Sequence, residues 1–313
     1  MNAFGGEDRF WMGPEGGQFG LYFTPQKPFD FNNWQVPAVF DTVPYDVIQK
    51  TPTSVSLSKE VALQNYSGTS FKIKVNRQVK LLSLVEIKRI LGTPILDGLK
   101  VVGYRTTNKV TNIGDKSWDK TTGLLSIWIL GNYIPSDRAT VILPIKSGDE
   151  RKLGKKVVVY ESFGVIPHER LIVKDNVVLF KADGKLRSKI GLTPQRAKNI
   201  LGSFDANKNI LTIVKYNKPE NVTEYVNSLW EVQKSPYAGD VVNSYNDGPL
   251  GVKQKQLGPF YELETSSPAL TLKPNSSYNH VRYTFHFIGS KESLNSLAEK
   301  LLGVSLESID DKK

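Results

Sequence analysis

The segment Phe71-Lys72-Ile73-Lys74-Val75 alternates apolar with charged side chains, the period of two that belongs to a strand with one buried face. The same alternation runs over residues 70–82 and again over 99–113, where it ends at the turn Ile113-Gly114-Asp115. Leu124 to Leu130 is continuously apolar and predicts a strand covered on both faces. Lys156 to Glu161, Leu171–Lys174 and Val177–Lys181 follow, the last two joined by Asp175-Asn176 as a tight hairpin turn. Asn209 to Tyr216 comes after the polar turn Asp205-Ala206-Asn207-Lys208, which lacks the glycine and closing glutamate of a calcium loop. Phe260–Thr265 and Tyr278–Ile288 complete the strands.

Helix signals are few. Leu84–Leu91 stops at Gly92, and Thr193-Pro194 has the form of a helix start. Lys291–Leu302 begins after Ser290 and carries Leu294, Leu297, Ala298, Leu301 and Leu302 on one stripe, which predicts a helix on the outside of a sandwich. Many strands and little helix argue for an all-β sandwich or barrel. No stretch has a linker's composition, so one domain over 1–313 is expected.

Composition removes several chemistries. There is no cysteine, hence no disulfide, thiolate metal site or cysteine nucleophile. No apolar run approaches the ~20 residues of a membrane helix. The net charge is +10, but the excess lies between residues 51 and 200, mostly as lysines on alternating strands. Those read as solvated faces, so no nucleic-acid partner is expected. No phosphate-binding loop, dinucleotide fingerprint or G-x-S-x-G motif is present, and no cofactor is expected.

Three segments could carry chemistry. In Gly5 to Phe19, the acids Glu7, Asp8 and Glu15, with Arg9 and Trp11, stand among five glycines. An indole stacking on a pyranose face, with charged groups binding its hydroxyls, makes a sugar site; the competing reading is two tight turns with Arg9 paired to Glu7 or Asp8. The second segment is Tyr245-Asn246-Asp247-Gly248 followed by Gly258 to Pro268. A strand over 260–265 puts Glu262 and Glu264 on one face, where mutual repulsion raises one carboxyl toward a general acid or base; the alternative is a solvated strand face. In the final strand, Val281, Tyr283, Phe285 and Phe287 form a core face, and His280, Arg282, Thr284 and His286 form the other. Pairing with 260–265 would bring His280, Arg282 and His286 near the two glutamates. Their spacing is not a metal-ligand signature, and no metal is expected. His168 reads as a surface group.

Tyr261-Glu262-Leu263-Glu264-Thr265, Leu272-Lys273-Pro274-Asn275-Ser276 and Val110-Thr111-Asn112-Ile113-Gly114-Asp115 resemble the C-terminal pattern and the central T-N-x-G-D turn of galactose mutarotase-like proteins. The G-G-E-D-R-F-W run, Leu125–Gly131, Tyr245-Asn246-Asp247-Gly248 and Gly258–Pro268 are similar to DUF6786, an uncharacterised family of that superfamily found in Bacteroidota. The resemblance implies a β-supersandwich with few peripheral helices and a sugar-binding concave face. It gives Glu264 the place of the glutamate that takes the anomeric proton. The stretch that would hold the mutarotase histidine has Trp128 instead, which argues against ordinary mutarotase activity. The resemblance also implies strands ahead of the G-G-E-D run and export to the periplasm or cell surface.

The expectation is therefore a carbohydrate-active protein. Glu264 is its base, and Glu262 or His286 its acid. Glu7, Asp8, Arg9, Trp11, Trp128, Asn246, Asp247, His280 and Arg282 form its sugar contacts. The alternative is a non-catalytic glycan-binding protein of a polysaccharide-utilisation system.

Overall fold

A computed structural model describes residues 6–250 and 256–310; Gly5 lies outside them. Two antiparallel sheets face each other. The smaller has the order β1 (Arg9–Gly13), β6 (Ser126–Tyr133), β15 (Tyr261–Ser266), β14 (Val242–Asn246), β11 (Ser188–Leu192) and β8 (Val158–Val159). The larger runs β2 (Asp46–Thr51), β3 (Ser54–Gln64), β4 (Ser70–Leu81), β5 (Lys100–Asn112), β16 (Ser277–Ile288), β13 (Ile210–Tyr216), β12 (Ile200–Asp205), β7 (Ala139–Pro144), β10 (Val177–Lys181) and β9 (Leu171–Val173).

Alternation decides what each strand buries. In β4, Phe71, Ile73 and Val75 are buried while Lys72 is exposed and Lys74 half-buried, each large apolar side chain contributing about 1.5–3 kcal/mol. All eight residues of β6 are buried, as its apolar run predicts. Phe71, Ile73, Ile127 and Ile129 belong to one apolar cluster between the sheets; Leu143, Phe180, Tyr261 and Leu263 belong to a second.

A third cluster lies on the far side of the larger sheet, beneath two helices. Leu84–Leu91 starts with a capping box between Ser83 and Glu86 and stops at Gly92, whose φ of 68° suits glycine. Lys291–Leu302 is capped by Ser290 and packs Leu294, Leu297, Ala298 and Leu302 against the sheet. The Thr193-Pro194 signal makes only a turn, in which the Arg196 and Ala197 amides bond the Thr193 carbonyl. The Arg196 guanidinium then donates to the carbonyls of Lys146, Gly148 and Gly154, contacts that a solvent-facing helix position could not make. Residues 156–161 yield only the two-residue β8. No helix among the described residues is long and apolar enough to cross a membrane.

The final strand departs from expectation. Phe285 and Phe287 face the two helices, and the opposite face of β16 is buried as well, because it meets the smaller sheet. His280, Arg282 and Thr284 are fully buried there.

Candidate functional site

The register of the smaller sheet sets which side chains share its outer face. Arg9 stands opposite Leu130 and Trp11 opposite Trp128; Glu262 faces Asn132, Glu264 faces Leu130 and Asn243, and Lys189 faces Tyr245. Loops bring Glu15, Phe31, Trp34, Phe163, Trp230, Leu257 and Phe260 over this surface. Together they bound a cleft of about 490 Å³, partly open to solvent. Arg9, Trp11, Trp128 and Glu262, named from sequence, line it. Trp11 meets Trp128 at 5.4 Å and Trp34 at 6.3 Å between ring centroids, so the wall is a continuous aromatic surface.

Ionisable groups sit on and behind that wall. Asn132 donates to Glu262 Oε1 at 2.9 Å. Burial, then the neighbouring Glu264 charge, push the Glu262 carboxyl well above the usual range. Glu264 itself is wholly buried. Its Oε2 accepts from Trp128 Nε1 at 2.8 Å and lies 3.5 Å from Lys189 Nζ, while its Oε1 meets no donor among the described residues. Burial acts to lower the Lys189 ammonium pKa, but Glu264, Glu15 and Glu262 more than reverse it, and the net shift is upward. The same ammonium lies 5.0 Å from the Trp128 ring centre. Glu15 accepts from Trp34 Nε1 at 2.9 Å and is raised by burial, against the pull of Lys189.

Deeper in, Asp240 accepts from Tyr160 Oη at 2.6 Å, and burial raises it to about 6. Gly191 lets Asp240 reach the sheet, since a Cβ there would overlap the Asp240 carboxylate. Among the described residues, no group of three or more His, Asp or Glu is placed to hold a metal ion.

The remaining sequence-derived candidates lie elsewhere. His280 and Arg282 point between the sheets, behind β15. His280 Nε2 bonds Thr265 Oγ1 at 2.9 Å, and burial together with Arg282 lowers its imidazole to about 3. Arg282 donates to the carbonyls of Ile129 and Leu263 and to Tyr133 Oη, with Asp8 3.6 Å from its Nε. Gly131 is small enough to admit that guanidinium. Asp8 pairs with Arg77 at 2.6 Å. Glu7 takes His286 Nε2 and Tyr104 Oη, both at 2.7 Å. Burial opposes ionisation there, but the His286 and Tyr104 contacts prevail and lower the Glu7 carboxyl. So His286 does not share the cleft with the glutamates, and pairing of Arg9 with Glu7 or Asp8 gives way to Arg9–Asp41 at 3.1 Å. Asn246 bonds the Gly184 amide and the Leu186 carbonyl. Asp247 holds Tyr245 Oη and the Gly258 amide, fixing the segment that carries Phe260.

Sequence reasoning passed over Lys189, Arg187 and Asp240. One lysine in Ser188-Lys189-Ile190-Gly191-Leu192 reads as a solvated position, and only the sheet order shows that β11 adjoins the acidic strands.

No curated protein matches the chain in sequence. Among solved structures, a candidate aldose 1-epimerase from Escherichia coli K12 is similar at TM-score 0.52 and 11% identity, over 90% of this chain and 84% of that one. A candidate mutarotase from Salmonella typhimurium gives 0.45 at 11% identity, over 92% and 82%. A galactose mutarotase-like protein from Lactobacillus casei gives 0.43 at 11%, over 89% and 84%. The first likeness shows the fold, the galactose mutarotase-like β-supersandwich. A family model matches residues 1–313 throughout, and the chain belongs to that family, the family of unknown function DUF6786.

Proposed function

We propose that the outer face of the smaller sheet binds a sugar and that Glu262 transfers a proton at the sugar's anomeric centre. The observation that carries this reading is the placement of Glu262. It is a carboxyl in the wall of an aromatic cleft, held by Asn132, with the Glu264–Lys189 pair behind it. Glu262 is kept protonated and donates to the ring oxygen. Glu15, the other carboxyl on the wall, accepts the proton of the anomeric hydroxyl; the ring opens, and it can reclose on either face of the carbonyl. Glu264 is enclosed by Trp128 and Lys189, so its part is to set the proton affinity of Glu262 rather than to touch the sugar. The aromatic walls hold the pyranose by its C–H faces.

NMR of a panel of reducing sugars tests this. Wild-type protein is expected to speed exchange between anomers. Glu262→Gln is expected to keep the ligand-induced line broadening and to lose exchange by about 100-fold or more. A second reading, a non-catalytic glycan-binding protein, is favoured by the extent of the aromatic wall. Line broadening with no exchange for any sugar would select it and remove the proton-transfer role from Glu262.

A further inference from the structure

Three cations line the cleft, and two of them have anionic partners. Lys189 is held by Glu264 and Arg9 by Asp41. Arg187 is the third. It has no ion-pair partner among the described residues, and its buried Nε meets no acceptor. Its guanidinium carbon lies 4.5 Å from the centre of the Phe163 ring and 6.0 Å from that of Phe31. Two aromatic faces and a hydrogen bond to the Tyr245 hydroxyl therefore hold the planar fork in place without neutralising its charge. By contrast, Arg77, Arg170 and Arg151 each close on an aspartate. The carboxyls that share the cleft wall are held elsewhere, Glu15 by Trp34 and Glu262 by Asn132, and neither pairs with Arg187.

We propose that the ligand of this cleft is an acidic sugar whose anionic substituent is bound by Arg187. This rests on the sugar reading above and narrows it to a substrate class. A guanidinium held between rings and paired with no carboxylate among the described residues matches a carboxylate, and also a phosphate, as counter-ion and hydrogen-bond acceptor. A neutral hexose would leave that cation without a counter-ion in a partly desolvated position, a cost that an anionic sugar removes. The tryptophans and Arg187 line the same cleft, so one end of the ligand can lie against the indoles while its charged group reaches the guanidinium.

The experiment is titration calorimetry of the full chain with glucuronate, galacturonate, glucose, galactose and glucose 6-phosphate. Wild-type protein is expected to bind at least one acidic sugar about tenfold or more tighter than its neutral parent. In Arg187→Met the ratio of acidic to neutral affinities is expected to fall to about one. Arg187→Lys keeps the charge without the fork and is expected to retain part of the preference. Preference for uronates over the phosphate identifies the anion as a carboxylate; the reverse order identifies a phosphate. Equal affinities for acidic and neutral sugars in the wild type would overturn the acidic-sugar proposal and leave the sugar reading standing. A preference that survives in Arg187→Met would overturn the role of Arg187. Failure to bind any sugar would overturn both.

Discussion

On the inner face of the smaller sheet, Arg282 is surrounded by two carbonyls, a phenol and an aspartate, and His280 is bonded to Thr265. On the outer face of the same strands, Glu264 keeps one oxygen without a donor, Trp11 Nε1 has no acceptor and Arg187 has no ion-pair partner. Both regions bury charge, and burial of charge demands partners. The inner region finds most of them within the chain, His280 Nδ1 excepted, so its polar groups fix how the two sheets dock. The outer region lines a cleft with Arg187, a cation that no carboxylate among the described residues neutralises and that a ligand can complete. An unneutralised cation at a cleft, rather than the presence of ionisable residues, separates a binding site from a polar core here.

The largest expected effect tests the inner region. Arg282→Met leaves two carbonyls and the Tyr133 hydroxyl without their donor and leaves Asp8 to its pair with Arg77, so unfolding in urea is expected to show a loss of about 3–5 kcal/mol. The corresponding loss for Arg187→Met is expected to stay within about 1 kcal/mol, because Arg187 pairs with no carboxylate among the described residues and gives up only a neutral contact to Tyr245. Equal losses would erase the distinction between the two faces.

Acid and base set the faces against each other. Asp240 is raised from 3.8 to about 6, so the native state binds its proton more tightly than the unfolded chain does. That stability is present below pH 3.8 and is lost as the pH rises through about 6, by about 3 kcal/mol in all. His280 is lowered from 6.5 to about 3, so its stability is present above pH 6.5 and is lost as the pH falls toward 3. Asp240→Asn is therefore expected to gain on the wild type by up to about 3 kcal/mol between pH 4 and 7. His280→Gln is expected to gain as the pH falls over the same window. Denaturation curves at several pH values measure both, and a variant whose stability runs parallel to the wild type would show that its group does not titrate as placed.

The two faces were unequally legible in the sequence. Alternation in Phe260–Thr265 put Glu262 and Glu264 together, and the glycine-flanked Arg9 and Trp11 lie on the same wall. Period-two patterning tells which side chains share a face; it does not tell what that face meets. In β16 both faces are buried, one against helices and the other against a sheet, so the polar face that carries His280 and Arg282 reads as a site although it is an interior. Lys189 gave the opposite error, since a lone lysine on a strand has the pattern of a solvated position while strand order sets it among acids. Strand order depends on long-range pairing, which no local window contains. The Thr193-Pro194 start failed for a related reason: a cap signal needs an apolar stripe behind it, and Pro194 to Asn199 supply none.

The smallest effect gives the sharpest comparison, between two indoles on the same wall. Trp11 and Trp128 stand opposite each other in β1 and β6, both almost fully buried. Trp128 Nε1 donates to Glu264, whereas Trp11 Nε1 has no acceptor. Replacing either by Phe removes a similar volume, so the difference between the variants isolates the N–H group. Trp128→Phe is expected to be the less stable by about 1–3 kcal/mol, because it strands a buried carboxylate. Trp11→Phe breaks no internal bond, and its expected signature is sugar affinity weakened by about three- to tenfold. Should Trp11→Phe bind every sugar as the wild type does, its N–H is not a ligand donor, and the contrast between the two faces would rest on Arg187.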